Sequence, residues 1–123
     1  TPMNARNAAD FLRAFGDGTR LRIIQVIAQR RLSVGQLARV LRCPRMRVSR
    51  HLAYLRARGV VDWERKANAV LYSLSVPGDE GTRLVLSAVR ALLQGIEETP
   101  RDRRCLQRLS KADSAAGRRG RIE

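Results

Sequence analysis

The residues best suited to chemistry in this 123-residue chain are its arginines, which cluster in the middle of the sequence. Residues 39–66 hold nine basic and two acidic side chains, so this segment carries +7, half of the chain's net charge of +14. A guanidinium group can donate two parallel hydrogen bonds to a phosphate or to the edge of a guanine. The segment therefore indicates a polyanionic partner, either a nucleic acid or an anionic membrane surface.

The spacing of apolar residues separates an inner from an outer side of this segment. Val48, Leu52 and Leu55 recur at the intervals of one face of a helix. If that face is turned to a core, the residues between and before them point outward, where they can reach the edges of bases. The residues predicted to contact DNA in this way are Arg45, Met46, Arg47, Ser49, Arg50 and His51.

Two helices joined by a short turn would position these side chains. Ser33 followed by Gln36 is a capping-box pattern that begins a short helix. Pro44 suits the first position of the next helix, which Gly59 ends. Because the second helix is basic on its outer side, the pair predicts a helix-turn-helix, which places its second helix in the major groove of DNA.

After this motif, the pattern of apolar residues changes from one typical of helices to one typical of strands. Residues 60–63 and 70–74 are mostly β-branched, aromatic or aliphatic, and they flank a polar stretch. This pattern predicts a two-stranded hairpin with its tip near residues 66–69. A hairpin directly after a recognition helix is a wing, and Arg65 and Lys66 are expected near the DNA backbone or minor groove.

Apolar periodicity predicts three further helices: one from Asn4 or Asn7, one over about residues 17–29, and a long one over about residues 79–98. The last of these helices has apolar residues on nearly all sides, and one small domain cannot shield all of them from water. A second subunit is the obvious source of the additional contacts. The expected fold class is mainly α with a β-hairpin wing, a winged helix-turn-helix with a helical dimer interface.

Length and composition exclude several classes of protein. No stretch approaches the roughly 18 consecutive apolar residues of a membrane span, and the N-terminus lacks the apolar core of a signal peptide, so we expect a cytoplasmic protein without a membrane partner. One histidine and no clustered carboxylates leave no catalytic set, so neither an enzyme nor a cofactor is expected. Residues 1–109 are expected to form the domain and residues 110–123 a mobile basic tail.

Four segments in this order resemble the ArsR/SmtB family of winged-helix repressors. They read DGTRLRII at 17–24, VGQLA at 34–38, VSRHLAYLRARGVV at 48–61 and VLYSL at 70–74. The resemblance implies a homodimer built from the first and last helices, which binds an imperfect inverted repeat in promoter DNA and is released by an inducer. The residues expected at the dimer interface are Phe11, Phe15, Leu84, Ala88, Leu92 and Ile96.

The metal ligands common in that family have no counterpart in this chain. Many members use a Cys-x-Cys pair at the start of the third helix, where Ser33 and Gly35 stand here. Others use histidines and carboxylates on the last helix, but residues 79–98 contain no histidine. No metal site is therefore expected, and the identity of the inducer stays open.

The two cysteines and the high charge leave two alternatives open. Cys105 follows several arginines, whose charge favours a reactive thiolate, whereas Cys43 suits a small buried hydrophobe. One alternative is therefore a redox or reactive-sulfur sensor of the same fold that uses Cys105 or Cys43. The other is a protein that binds nucleic acid by charge alone, without sequence preference.

Overall fold

The computed structural model describes residues 4–96, 104–105 and 107–109. The elements within these residues confirm the expected class, mainly α with a hairpin wing. In chain order they are α1 Ala5–Arg13, α2 Gly18–Ile27, α3 Val34–Leu41, α4 Arg45–Ala57, β1 Val61–Lys66, β2 Ala69–Leu74 and α5 Glu80–Gln94. The sequence predicts that the last helix reaches residue 98, but α5 ends at Gln94, where Gly95 is its C-cap. The predicted tail lies outside the described residues.

Side-chain caps explain where most of these helices begin. Asn4, Asp17 and Asp79 each accept a hydrogen bond from a backbone N–H in the first turn of their helix, and Ser33 with Gln36 forms the predicted capping box. Pro44 departs from the prediction, because it is the cap of α4 and not its first helical residue. Its ψ of 141° is extended, and it supplies no side-chain hydrogen bond.

The core forms where α2, α3, α4 and the hairpin meet. Val48, Leu52 and Leu55 are at most 1% exposed, so the predicted inner face of α4 is confirmed. Apolar spacing in residues 17–29 predicts Leu21, Ile24, Ile27 and Ala28 on the inner side of α2, but Leu21 and Ala28 are only half-buried. Because α2 packs against α3, α4, α5 and β2, more than one side of it is covered, and Ile23 and Val26 are buried in addition to the predicted Ile24 and Ile27.

The hairpin is tied to the helices through a third backbone segment. Its register runs from Val61 opposite Leu74 to Lys66 opposite Ala69, as the predicted tip requires. Leu32, between α2 and α3, exchanges two backbone hydrogen bonds with Tyr72 at 3.2 and 2.8 Å. The wing is therefore anchored to the turn that precedes α3 as well as to α4.

The cap at Asp17 makes the stability of α2 depend on pH. The backbone N–H of Arg20 lowers the pKa of Asp17 below its usual value; partial burial opposes this shift, and the charges of Arg20 and His51 add to it. A carboxyl with a lowered folded-state pKa stabilises the fold fully above its unfolded pKa of about 4, and that contribution is lost as the pH falls through the folded-state value.

We expect Asp17→Ala to lower the free energy of unfolding by about 1 kcal/mol at neutral pH, because N–H groups in the first turn of α2 lose their acceptor. Asp17→Asn keeps an acceptor and should retain most of the stability. Urea unfolding at neutral pH and below about pH 4 should show wild-type protein losing stability relative to Asp17→Asn. A difference between these two proteins that stays constant with pH would contradict the expected role of the carboxylate.

Candidate nucleic-acid interface

The outer side of α4 brings together most of the residues predicted to read bases. Arg45, Met46, Arg47, Ser49 and Arg50 are all exposed on its N-terminal half. His51 differs from them, because it is half-buried and lies near enough to Asp17 to help lower the pKa of that carboxyl. The surface available to a partner is therefore the first turn and a half of α4, with His51 at its border.

Three arginines near α4 lie over aromatic rings. Arg56, on the last turn of α4, has its Cζ 4.6 Å from the centroid of the Trp63 ring on β1. Two guanidinium groups lie over the ring of Tyr54, with the Cζ of Arg20 4.4 Å and that of Arg58 3.6 Å from its centroid. These contacts hold the wing and the start of α2 against α4.

Arg20 also connects α4 to the end of α1. Its Nε donates to the carbonyl of Ala14, and its Nη2 donates to the carbonyl of Arg13, each at 2.9 Å. A cation at the last carbonyls of a helix is favourable because the helix dipole is negative there. One guanidinium therefore joins the C-terminal end of α1 to Tyr54 on α4.

None of these stacked side chains is among the residues predicted from the sequence to form the site. Tyr54 and Arg58 are four residues apart on one helix, a spacing that could have indicated their contact. Arg56 and Trp63 are brought together by the turn between α4 and β1, for which no local spacing gives a signal. Arg56 and Arg58 therefore position elements in addition to contributing charge.

The wing presents a basic tip whose acidic neighbour is paired. Arg65 and Lys66 are exposed at the end of β1, next to the two-residue turn at Ala67. Glu64 accepts a hydrogen bond from Nη1 of Arg31 at 3.1 Å, and both side chains are about half-exposed. A surface pair of this kind contributes little to stability, but it reduces the negative charge beside the tip.

The residues predicted for the dimer interface differ in how much surface they offer. Phe11 is 6% exposed and packs edge-to-face on half-buried Phe15, so it belongs to the chain's own core. Leu12, the next residue along α1, is 54% exposed. On α5 and just after it, the predicted residues are exposed: Leu84, Ala88, Leu92 and Ile96.

The cysteines and acidic residues give no assembled site in the described part of the chain. Cys43 and Cys105 are both half-buried and pack against the core. Among residues 4–96, 104–105 and 107–109, no three His, Cys, Asp or Glu side chains could together hold a metal ion. No helix within those residues is long and apolar enough to cross a membrane. The thiol-sensor hypothesis stays a prediction.

Comparison with known proteins places this geometry in a family. The sequence profile of the bacterial regulatory proteins of the arsR family matches residues 17–62, from the cap of α2 into β1. The transcriptional activator HlyU of Vibrio cholerae is 36% identical over 72 residues, which are 58% of this chain and 67% of HlyU. The chain belongs to the ArsR family. Its resemblance to that family, expected from the sequence, is thereby confirmed.

Other ArsR-type proteins support the fold and the regulatory class. The transcriptional repressor SmtB of Mycobacterium tuberculosis is 37% identical over 68 residues, 55% of this chain and half the length of SmtB. The structure of reduced HlyU from V. cholerae has a TM-score of 0.60 at 30% identity, over 72% of this chain and 90% of that one. The ArsR-family chain is thus a DNA-binding transcriptional regulator with a winged helix-turn-helix, and the named relatives are regulators and not enzymes.

A third relative shares the fold alone. The homodimeric winged helix-turn-helix DNA-binding domain from Mycobacterium bovis has a TM-score of 0.60 at 21% identity. The match covers 72% of this chain and 80% of that domain.

The stack between α4 and the wing can be tested by a double-mutant cycle. Arg56→Ala and Trp63→Leu should be coupled by about 0.5–1 kcal/mol in the free energy of unfolding, as for other exposed cation–π contacts. Trp63 is the only tryptophan, so Trp63→Leu removes tryptophan fluorescence as a probe of unfolding. The coupling is therefore measured by urea unfolding followed by circular dichroism. Arg50→Ala, on the same helix, is the control and should be additive with Trp63→Leu within about 0.3 kcal/mol. Equal coupling in both cycles would count against the stack.

Proposed function

We propose that this ArsR-family protein is a homodimeric repressor that binds an inverted repeat in promoter DNA and excludes RNA polymerase from it. The observation that carries the proposal is the orientation of α4. Val48, Leu52 and Leu55 are buried, while Arg45 and Arg47 before them are exposed. A helix held in this way offers its basic N-terminal half to the major groove.

Charge supports DNA as the partner and the wing as the second contact. Residues 39–66 carry half of the net charge of the chain, and they include both α4 and the wing tip. Arg65 and Lys66 are proposed to contact the backbone or the minor groove beside the helix. Each phosphate that is neutralised releases counterions, so binding should weaken steeply as salt is raised.

The exposed apolar residues of α1 and α5 support the dimer. Leu84, Leu92 and Ile96 are each at least 50% exposed, and Leu12 adds to them from α1. Water contact with such a set is unfavourable, and a second copy of the chain would remove it. The M. bovis domain with the same fold is described as homodimeric. A two-fold dimer would set its two α4 helices about 34 Å apart, one turn of DNA, on an inverted repeat.

The named relatives include both an activator and a repressor. We favour repression because occupancy alone is sufficient for it: a dimer laid across a promoter blocks polymerase without a further contact. The protein would act in the cytoplasm, where promoter DNA is accessible.

Footprinting on the DNA upstream of the protein's own gene tests the proposal directly. Protection of one discrete inverted repeat is the expected result. Uniform coverage of the fragment would instead favour binding by charge alone, the alternative without sequence preference. Transcription from the protected promoter should then fall when purified protein is added, and a rise would indicate an activator.

Two substitutions should separate base reading from backbone binding. Arg45→Ala is expected to lose about 1–3 kcal/mol of discrimination at one base pair of each half-site. Lys66→Ala should weaken binding to all sequences about equally and reduce the logarithmic salt slope by about 1 for each wing. Fluorescence anisotropy on the footprinted repeat and its single-base variants, at several salt concentrations, measures both effects. If the two variants behave alike, the assigned roles are wrong.

The dimer interface has its own test. Leu92→Glu should weaken self-association at least about a hundredfold, because the two-fold axis would bury an unpaired carboxylate from each copy. Sedimentation velocity over a range of concentrations should then detect monomer where wild-type protein is dimeric. Met46→Glu places the same charge on an exposed apolar residue of α4 and should leave the dimer intact. A monomeric wild-type protein would contradict the proposal.

A further inference from the structure

Gly35 is the second residue of α3, a position where glycine needs an explanation. Glycine is less favourable in helices than any residue except proline, because it loses the most backbone freedom on folding. Its backbone conformation does not require it, since the positive-φ glycine among the described residues is Gly59. The explanation must therefore lie in what the missing side chain makes room for.

The space beside Gly35 is occupied by the guanidinium group of Arg45. A Cβ built on Gly35 would lie 3.3 Å from Nη2 of Arg45, 3.5 Å from Cζ and 3.9 Å from Nε. The shortest of these distances is tighter than ordinary van der Waals contact. Arg45 is the first residue of α4, so its side chain reaches back across the turn of the helix-turn-helix and lies against the first turn of α3.

This packing leaves the hydrogen-bond donors of Arg45 available. No acceptor within the described ranges takes one of its N–H groups, and the guanidinium lies beside the backbone of Gly35 without a hydrogen bond. A guanidinium that already lies in one region loses less side-chain freedom on binding than one that moves freely. Two parallel hydrogen bonds to a base edge also demand a defined position and tilt.

We propose that Gly35 is a positioning residue for Arg45, and that the absence of a side chain at Gly35 sets the base preference of α4. The inference rests on the proposed function, because it concerns how the same helix reads DNA. A methyl group at Gly35 would displace the guanidinium by a few tenths of an ångström. Arg45 is exposed and its far end is flexible, so it would give way and the fold would not be strained.

Gly35→Ala is therefore expected to change stability and recognition in opposite directions. The melting temperature should rise by about 2 °C or more, because alanine favours the helix. Discrimination at the base pair read by Arg45 should fall by about three- to tenfold, a part of the full effect of losing a bidentate contact. A merely structural glycine would not produce this combination.

The matched control is Gly18→Ala at the first residue of α2. A Cβ on Gly18 meets no atom within 4 Å, so this variant should gain stability while its DNA binding stays unchanged. The measurements are the melting temperature and fluorescence anisotropy on the footprinted repeat and its single-base variants, using the full chain. In an Arg45→Ala background, Gly35→Ala should have no further effect on discrimination.

The outcomes separate this inference from the proposed function. If Arg45→Ala relaxes base preference while Gly35→Ala binds like Gly18→Ala, base reading stands and the positioning role is overturned. If Arg45→Ala changes no base preference, both the role of Arg45 and the inference fail. A lower melting temperature for Gly35→Ala would indicate a general misfit of α3, which also overturns the inference.

Discussion

The arrangement of this protein depends on the burial of Val48, Leu52 and Leu55, which hold α4 against α2, α3 and β1. Removing each such side chain from water contributes about 1.5–3 kcal/mol. Rotating α4 about its axis would expose these residues and turn its arginines inward, and an unpaired buried charge costs far more than any single groove contact contributes. The outward direction of the basic face is thus a consequence of packing on the opposite face.

A chain with so many arginines must also limit their mutual repulsion. Tyr54 and Trp63 receive three guanidinium groups on their ring faces, and Glu64 pairs with Arg31. Those arginines hold elements together, which leaves the exposed ones at the start of α4 and at the wing tip for a partner. The same residue type therefore serves two purposes, and its surroundings determine which one applies.

Local patterns predicted the parts of this structure that depend on neighbours in sequence. The inner face of α4, the capping box at Ser33 and the tip of the hairpin follow from spacing and residue type. Long-range packing determines the rest. On α1, the spacing of Phe11 and Leu12 fits one apolar face, and only the position of the neighbouring helices decides that Phe11 is buried and Leu12 exposed. The contacts of Arg56 with Trp63 and of Arg45 with the space at Gly35 likewise join different elements.

Arg20 gives the described fold a property that neither α1 nor α4 has alone. Because its guanidinium bonds the last carbonyls of α1 and also stacks on the ring of α4, the two helices share one group at their junction. A displacement of the end of α1 would therefore change the position of the guanidinium group that lies over Tyr54 of α4. If such a displacement changed the affinity of α4 for a ligand, thermodynamic linkage would require that ligand to change the association of α1 with a neighbour by the same factor.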